Sequence, residues 1–316
     1  MTVRADRTVR TNGISRSEWL KCRKVAIGGS EAAAIVGMNE YATPYSVWAD
    51  KLGYAKPVED NEAMRQGRDL EEYVAKRFCE ETGKKVRRRN AILFNDTYPF
   101  ALANIDRDVI GENAGLECKT TSSLNLRRFK NGDFPDTYYW QCMHYMMVTG
   151  ADRWYLAVLV FGKEFFIFTL ERDEEDIAFL AGEERVFWRY VENKEAPPVD
   201  GLKPTTDAIN AVYPIPHNNE ELDLYDKSEY LTQRDYLNRQ IKTLTASRDM
   251  IDQQLKEAIG DYEYADSALY KISWKAYTKR TFDAKRFQAD HPNLDLDKYY
   301  NISEFRKFLV KEKKHE

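Results

Sequence analysis

A chain of 316 residues, 43% of them hydrophobic and 32% charged, has apolar content for one full core and a second, smaller unit. No apolar run approaches the roughly 20 residues of a membrane span, and the opening MTVRADRTVR lacks the apolar centre of a signal peptide, which excludes a helical membrane protein and predicts a cytoplasmic location. Four scattered cysteines (Cys22, Cys79, Cys118, Cys142) without a C-x-x-C pair exclude a disulfide scaffold or zinc module, and the net charge of -4 hides an uneven chain, because residues 1–130 hold 23 Lys and Arg against 18 Asp and Glu.

Residues 1–13 are polar and lack an apolar period, so they are expected to be a disordered arm. SRSEWLKCR reads as a short capped helix, SEAAAIVG as a second with Ser30 at its N-cap, and YSVWADKLG as a third ending on Gly53. After the acidic link KPVEDN, Met64, Val74 and Phe78 recur at helical spacing from Glu62 to Thr82, with Gly83 at the C-terminal cap. Strands are expected near 85–95 and 98–109, then the turn GENAG and the strand LECKTT. DTYYWQCMHYMMVTG reads as a helix, WYLAVLV and EFFIFTL as a hairpin across Gly162, and 173–193 as a helix stopped by Pro197 and Pro198. This order predicts an α/β fold, a mixed central sheet flanked by helices spanning 14–200. A polar linker is expected over 201–225, and over 226–316 a mainly helical extension ending in a basic, aromatic tail. Within it, Arg234 and Arg248 interrupt an apolar seam, which predicts a two-helix hairpin or short coiled coil and not a long rod.

Chemistry concentrates in ALANIDRDVIGENAGLECKTT. Strand alternation sends Glu117 and Lys119 to one face and Cys118 to the other, and antiparallel pairing across GENAG can set Asp106 beside Glu117. Two carboxylates and an amine in one small site suit phosphodiester hydrolysis, which needs hard oxygen ligands for Mg²⁺, an activated water and positive charge near the transition state. Asp106, Glu117 and the backbone carbonyl of Cys118 are the candidate ligands, and Lys119 the candidate for orienting the attacking water. In GRDLEEYVAKRF, Glu71 stacks over Gly67 on a helix face left open by the missing side chain and is a further candidate ligand, whereas Glu72 is expected in solvent. By spacing alone, a surface hairpin with a cross-strand Glu–Lys pair remains an open reading of E-x-K.

IGGSEAAAIVGMNEYATPYSVWADKLG, GRDLEEYVAKRF with ETG, ANIDRDV, LECKT and YYWQCMHYMMVTG, in this order over about 15–200, resemble the YqaJ-type viral recombinase family. That family includes the phage lambda-type alkaline exonucleases of the PD-(D/E)XK nuclease superfamily. The resemblance implies a restriction-endonuclease-like core, catalytic positions at Glu71, Asp106, Glu117, Lys119 and Gln141, and Mg²⁺ as cofactor with Mn²⁺ as substitute. It also implies a 5′-3′ exonuclease on linear double-stranded DNA that leaves 3′ tails for a single-strand annealing partner, and a trimeric homo-oligomer. Arg23 and Ser30, seven apart, match the spacing of the family's DNA 5′-phosphate contacts. A hydroxyl at a helix start and a guanidinium suit an anion physically. One departure is Ile105 where the superfamily name has proline.

Three other readings compete. A helicase- or CRISPR-associated relative would carry an iron–sulfur cluster on late cysteines, but none follows Cys142. A general PD-(D/E)XK endonuclease stays open. An inactive DNA-binding or assembly module would be expected to have lost a carboxylate, and all four catalytic positions are intact. KKVRRRN and LRRFK are candidate DNA-backbone contacts, and His144 is expected to be packed or hydrogen-bonded, not a metal ligand.

Overall fold

The computed structural model describes residues 6–55, 60–216, 220–292, 294–302 and 305–311, in two compact units, Met1–Ile215 and Pro216–Glu316. In chain order the first unit holds β1 (Arg7–Arg10), α1 (Arg16–Arg23), β2 (Ile27–Gly28), α2 (Gly29–Ile35), α3 (Pro44–Lys51), α4 (Glu62–Thr82), β3 (Val86–Arg88), β4 (Ala91–Phe94), β5 (Ala101–Ala103) and β6 (Arg107–Val109). It continues with β7 (Ala114–Thr121), α5 (Asp136–Thr149), β8 (Arg153–Val160), β9 (Phe165–Glu171), α6 (Glu174–Asn193) and α7 (Lys203–Val212).

Its main sheet has the order β3-β6-β7-β8-β9. β7 and β8 are parallel, which requires a crossover, and the chain between them supplies it through α5. The other neighbours in this sheet pair antiparallel. Helices cover both faces. On one, Val74, Ala75 and Phe78 of α4 pack on Val109, Leu116 and Tyr155. Asn61 accepts the Met64 N–H at the start of α4, and Gly83, at φ 70°, ends it. On the other face α5 is buried from Trp140 to Thr149, so its sequence has no polar stripe; it lies against the sheet and is packed by α2 and α6. The fold is therefore α/β with a mixed central sheet flanked by helices, as expected, and the C-terminal region is mainly helical.

Four expectations change. The strands near 85–95 and 98–109 are four short ones shared between two sheets, because the chain bends at Arg89–Asn90 and again at Asn104–Asp106; β4 and β5 join β1 and β2 in a second sheet. The arm expected to be disordered over 1–13 includes β1, which pairs with β4 and sets the Arg7 guanidinium 4.4 Å from the Phe94 ring centre; residues 1–5 lie outside the described residues. The linker expected over 201–225 contains α7, begun with Pro204 in its first turn and held by buried Ala208 and by Thr205, whose hydroxyl lies 2.8 Å from that of Thr43. Residues 217–219 of that linker, like 56–59 of the acidic link, lie outside the described residues.

The fourth change is in the second unit. Its helix α8 (Ser228–Ile259) runs unbroken for 32 residues, a rod of roughly 48 Å, where a hairpin or short coiled coil was expected. The two arginines in its seam stay in solvent and do not break it. Beyond it come the antiparallel β10 (Tyr264–Asp266) and β11 (Lys271–Ser273), then α9 (Ala284–Asp290). No helix among the described residues is long and apolar enough to cross a membrane.

Candidate active site

The β6–β7 register faces Arg107 with Leu116, so one step further along the antiparallel pair Asp106 stands across from Glu117. Asp106 Oδ2 accepts the Cys118 N–H at 2.8 Å, which ties the carboxylate to the strand edge. Strand alternation brings Lys119 Nζ within 2.6 Å of Glu117 Oε1. From α5, Gln141 closes the group: its Oε1 accepts from Lys119 Nζ at 2.9 Å, and its Nε2 donates to Glu117 Oε1 at 2.7 Å and to the Tyr145 hydroxyl at 2.8 Å. Asp106, Glu117, Lys119 and Gln141 thus share one site.

The electrostatics there are unbalanced. Burial, then the neighbouring Glu117 and Glu71 charges, push the Asp106 carboxyl well above its usual range. Burial also works against the charge on Lys119, but Glu117, by charge and hydrogen bond, and Asp106 outweigh it and raise its pKa, so the ammonium is held. Burial followed by the same two carboxylates pushes the Tyr145 phenol up as well. Glu117 Oε2 is buried without any hydrogen-bond partner, and an unpaired buried oxygen costs about 1–3 kcal/mol. Two crowded carboxylates, one oxygen of them unpaired, are hard-oxygen donors of the kind that suits a divalent cation.

Glu71 is placed differently. Helix phase turns it inward, its side chain 27% exposed against 74% for Glu72, yet both are held by Arg107. Arg107 donates to Glu71, to Glu72 Oε2 at 2.9 Å and to the Asp106 carbonyl at 2.7 Å, and Arg88 lies 3.5 Å from Glu71. Glu72 is therefore exposed but paired. Among the described residues no three Asp, Glu, His or Cys side chains are grouped to hold a metal ion as they stand, and Glu71 is paired with Arg107. There is space over Gly67: a Cβ there would meet Thr120 Oγ1 at 3.9 Å, an ordinary contact, so packing within the chain does not require the glycine.

Arg23 donates to Ser30 Oγ at 2.6 Å and lies 4.9 Å over the Trp19 ring, so this pair is brought together. Ser30 is not the N-cap, however. The Glu31 carboxylate accepts the Gly28 N–H at 2.8 Å and makes Gly28 the cap, which leaves the serine hydroxyl to Arg23. Buried Lys51 fixes this turn, donating to the carbonyls of Arg23 and Ala26 at 2.7 Å each and pairing with Glu31 at 2.7 Å. Gly29 is required by contact, because a Cβ there would lie 2.6 Å from the Tyr145 ring. That ring connects the turn to the carboxylate site through Gln141.

Arg107 and Lys51 were missed by sequence reasoning, as was the contact that Tyr145, a core residue, makes with the site. Tyr145 was legible in principle, one helical turn after Gln141. The others join distant segments and leave no local signal. Of KKVRRRN, Arg87 and Arg89 clamp buried Asp108 at 3.0 Å each and Lys84 pairs with Glu112, so much of that stretch is engaged within the fold. In LRRFK, Arg128 pairs with Glu40 at 3.2 Å. His144 is buried, with Nδ1 2.7 Å from Glu184 and Nε2 2.8 Å from the Leu102 carbonyl, and is hydrogen-bonded as expected.

Residues 18–152 match the YqaJ-like viral recombinase domain. The uncharacterized protein YqaJ of Bacillus subtilis (strain 168) is 36% identical over 315 residues, 98% of each chain. Among solved structures, LHK-Exo in complex with dAMP superposes with a TM-score of 0.50 at 21% identity over 57% of this chain and 94% of its own. LHK-Exo, an alkaline exonuclease from Laribacter hongkongensis, also matches in a second structure with a TM-score of 0.49, at 22% identity and the same coverage. At this identity the first superposition speaks for a shared fold.

Proposed function

The chain belongs to the YqaJ-like viral recombinase family, and from that premise we propose that it is a metal-dependent deoxyribonuclease acting on the ends of linear double-stranded DNA. The observation that carries the reading is Glu117: one oxygen is held by Lys119 and Gln141, and the other is buried and unpaired beside Asp106. Asp108 and Glu184 also keep one buried unpaired oxygen, so the setting distinguishes Glu117: its partners are Lys119 and Gln141, and a second carboxylate, Asp106, crowds it.

In this reading Asp106, Glu117 and the Cys118 carbonyl would hold Mg²⁺, with Mn²⁺ as substitute, and Glu71, here paired with Arg107, would be the further ligand. The cation would supply a water of lowered pKa and charge neutralisation at the phosphate. Lys119, kept charged by Glu117, orients the attacking water and stabilises the charge building on phosphorus. Gln141 fixes both Lys119 and Glu117, so the amine and carboxylate keep their spacing before substrate arrives. Arg23 and Ser30 receive a terminal 5′-phosphate, which sets the direction 5′ to 3′ and leaves a 3′ single-stranded tail for an annealing partner. The test uses linear duplexes with 5′-phosphate or 5′-hydroxyl ends, labelled on either strand, with and without Mg²⁺. Metal-dependent loss of the 5′-phosphorylated strand from its end is expected; nicking of closed circles as fast as linear DNA is cut would replace the exonuclease by an endonuclease.

A further inference from the structure

The Gln141 side chain fixes the direction of the hydrogen bonds around it. Its Oε1 accepts from Lys119 Nζ, which can only donate, so the amide NH₂ faces the other way, where one hydrogen goes to Glu117 Oε1 at 2.7 Å and the other to the Tyr145 hydroxyl oxygen at 2.8 Å. The phenol oxygen therefore accepts, and its own hydrogen is left over. No acceptor for it stands among the described residues, although Tyr145 is only 5% exposed. A buried donor without an acceptor is destabilising, so its retention points to an acceptor from outside the chain.

The position of the hydroxyl says which acceptor. A Cβ on Gly29 would lie 3.0 Å from Tyr145 Cζ, the carbon that bears the oxygen, and Gly29 is the neighbour of Ser30, whose Oγ takes the Arg23 hydrogen bond. Arg23, Glu117 and Asp106 all act on the phenol by charge, so it lies within reach of the Arg23–Ser30 turn and of the carboxylates together. Its ring centre is 5.2 Å from that of Trp154, which holds it in place. We infer that Tyr145 is a third, specificity-determining contact for the terminal 5′-phosphate: its O–H donates to an oxygen of the phosphate that Arg23 and Ser30 hold, while its oxygen keeps the bond from Gln141. This role rests on the reading that Arg23 and Ser30 receive that phosphate.

A phenol suits this place. Burial, then the Glu117 and Asp106 charges, keeps its proton on the oxygen, so it remains a donor. Arg23 already supplies the turn with charge; a single O–H adds direction and rewards a phosphate oxygen that a 5′-hydroxyl end lacks. The same oxygen connects the end of the DNA to the chemistry. When an O–H donates to an anion, its oxygen becomes a better acceptor, so a bound phosphate tightens the bond from Gln141. Gln141 in turn holds Lys119 and Glu117. Occupation of the end site thereby steadies the hydrolytic pair through two hydrogen bonds, without movement of the backbone.

The test compares the full chain, Arg23→Ala and Tyr145→Phe on linear duplexes with 5′-phosphate or 5′-hydroxyl ends, by single-turnover cleavage with Mg²⁺ and by equilibrium binding in EDTA. Tyr145→Phe keeps the ring against Gly29 and Trp154 and removes the donor, and is expected to lose about 10- to 100-fold in preference for the phosphorylated end, in binding as in cleavage. Wild-type protein without any preference would overturn the end-recognition reading, and this contact with it. A wild-type preference that Arg23→Ala removes and Tyr145→Phe retains would overturn the contact alone. Equal slowing of both substrates by Tyr145→Phe, with the preference intact, would also overturn it and leave the phenol a support for Gln141. Fluorotyrosine replacing Tyr145 covers a Phe variant that fails to fold, because fluorine makes the phenol a better donor and a poorer acceptor at nearly the same size. The preference should then rise, and a fall would contradict donation to the phosphate.

Discussion

In the first unit, charged groups are taken out of water and surrounded by apolar side chains; in the second, α8 leaves apolar side chains in water on a helix rich in charge. Asp106, Glu117 and Lys119 lie in the wall of a core that includes Met143, Met146 and Leu156, whereas Leu237 and Leu244 have no such cover from the described residues of their own unit. Each arrangement lowers the stability of the isolated chain. A buried, incompletely satisfied carboxylate and an uncovered apolar stripe are different costs, one of unpaired charge and one of apolar surface left in water.

The comparison breaks most visibly at Asp106. If its carboxylate serves a cation and not the fold, Asp106→Asn keeps an acceptor for the Cys118 N–H, removes a charge crowded by Glu117 and Glu71, and leaves the melting temperature unchanged or higher. Calorimetric titration with Mn²⁺ should show affinity lowered by about 100-fold or more, as loss of a charged ligand implies. A variant that melts early and binds Mn²⁺ normally would make Asp106 structural.

Arg23→Ala sharpens the account of the turn. A terminal phosphate carries more charge than an internal diester, so one charge-assisted contact corresponds to about 1.5–3 kcal/mol, or roughly 10- to 100-fold in preference. The variant should cut 5′-phosphate and 5′-hydroxyl duplexes at similar rates with unchanged Mn²⁺ affinity. Wild-type protein indifferent to the end group would remove the role from Arg23 and Ser30.

The smallest effect concerns buried charge with no proposed chemistry. Burial lowers the His144 pKa, but Glu184 by charge and hydrogen bond outweighs it, so the pKa lies above its usual value of 6.5; burial raises Glu184 above 4.5, against the pull of His144. Both groups bind protons more tightly folded than unfolded. The pair's contribution is therefore full at low pH and fades as pH rises through the raised histidine value. Thermal melts should fall by a few degrees from mildly acidic to alkaline pH, about 1 kcal/mol corresponding to roughly 2–4 °C at this size. Glu184→Gln should flatten that slope, and a wild-type melt that climbs with pH through this range would contradict the assignment.

The parts of this site that were legible in the sequence are those encoded by short-range periodicity. Alternation along LECKT put Glu117 and Lys119 on one face, and the GENAG turn fixed the register that faces Asp106. The capped run from Glu62 to Thr82 gave α4 its bounds and Glu71 its phase. What stayed hidden depends on partners far along the chain. Arg107 sits 36 residues from Glu71, and no spacing announces that it holds that carboxylate. β1 exists only because β4 presents an edge, and α7 because α3 offers Thr43. Ser30 was misplaced for a local reason: Glu31 competes for the cap and wins it for Gly28.

The central claim is that Lys119 and Glu117 form a hydrolytic centre and not a surface-hairpin ion pair. Single-turnover cleavage of a linear, 5′-phosphorylated duplex by wild type and Lys119→Ala, alongside DNA binding by each, tests it directly. A lost transition-state contact of this kind slows the chemical step by about 100- to 1000-fold, so the variant should bind DNA as tightly as wild type and scarcely cut it. Equal cleavage rates in two equally folded proteins would contradict the account.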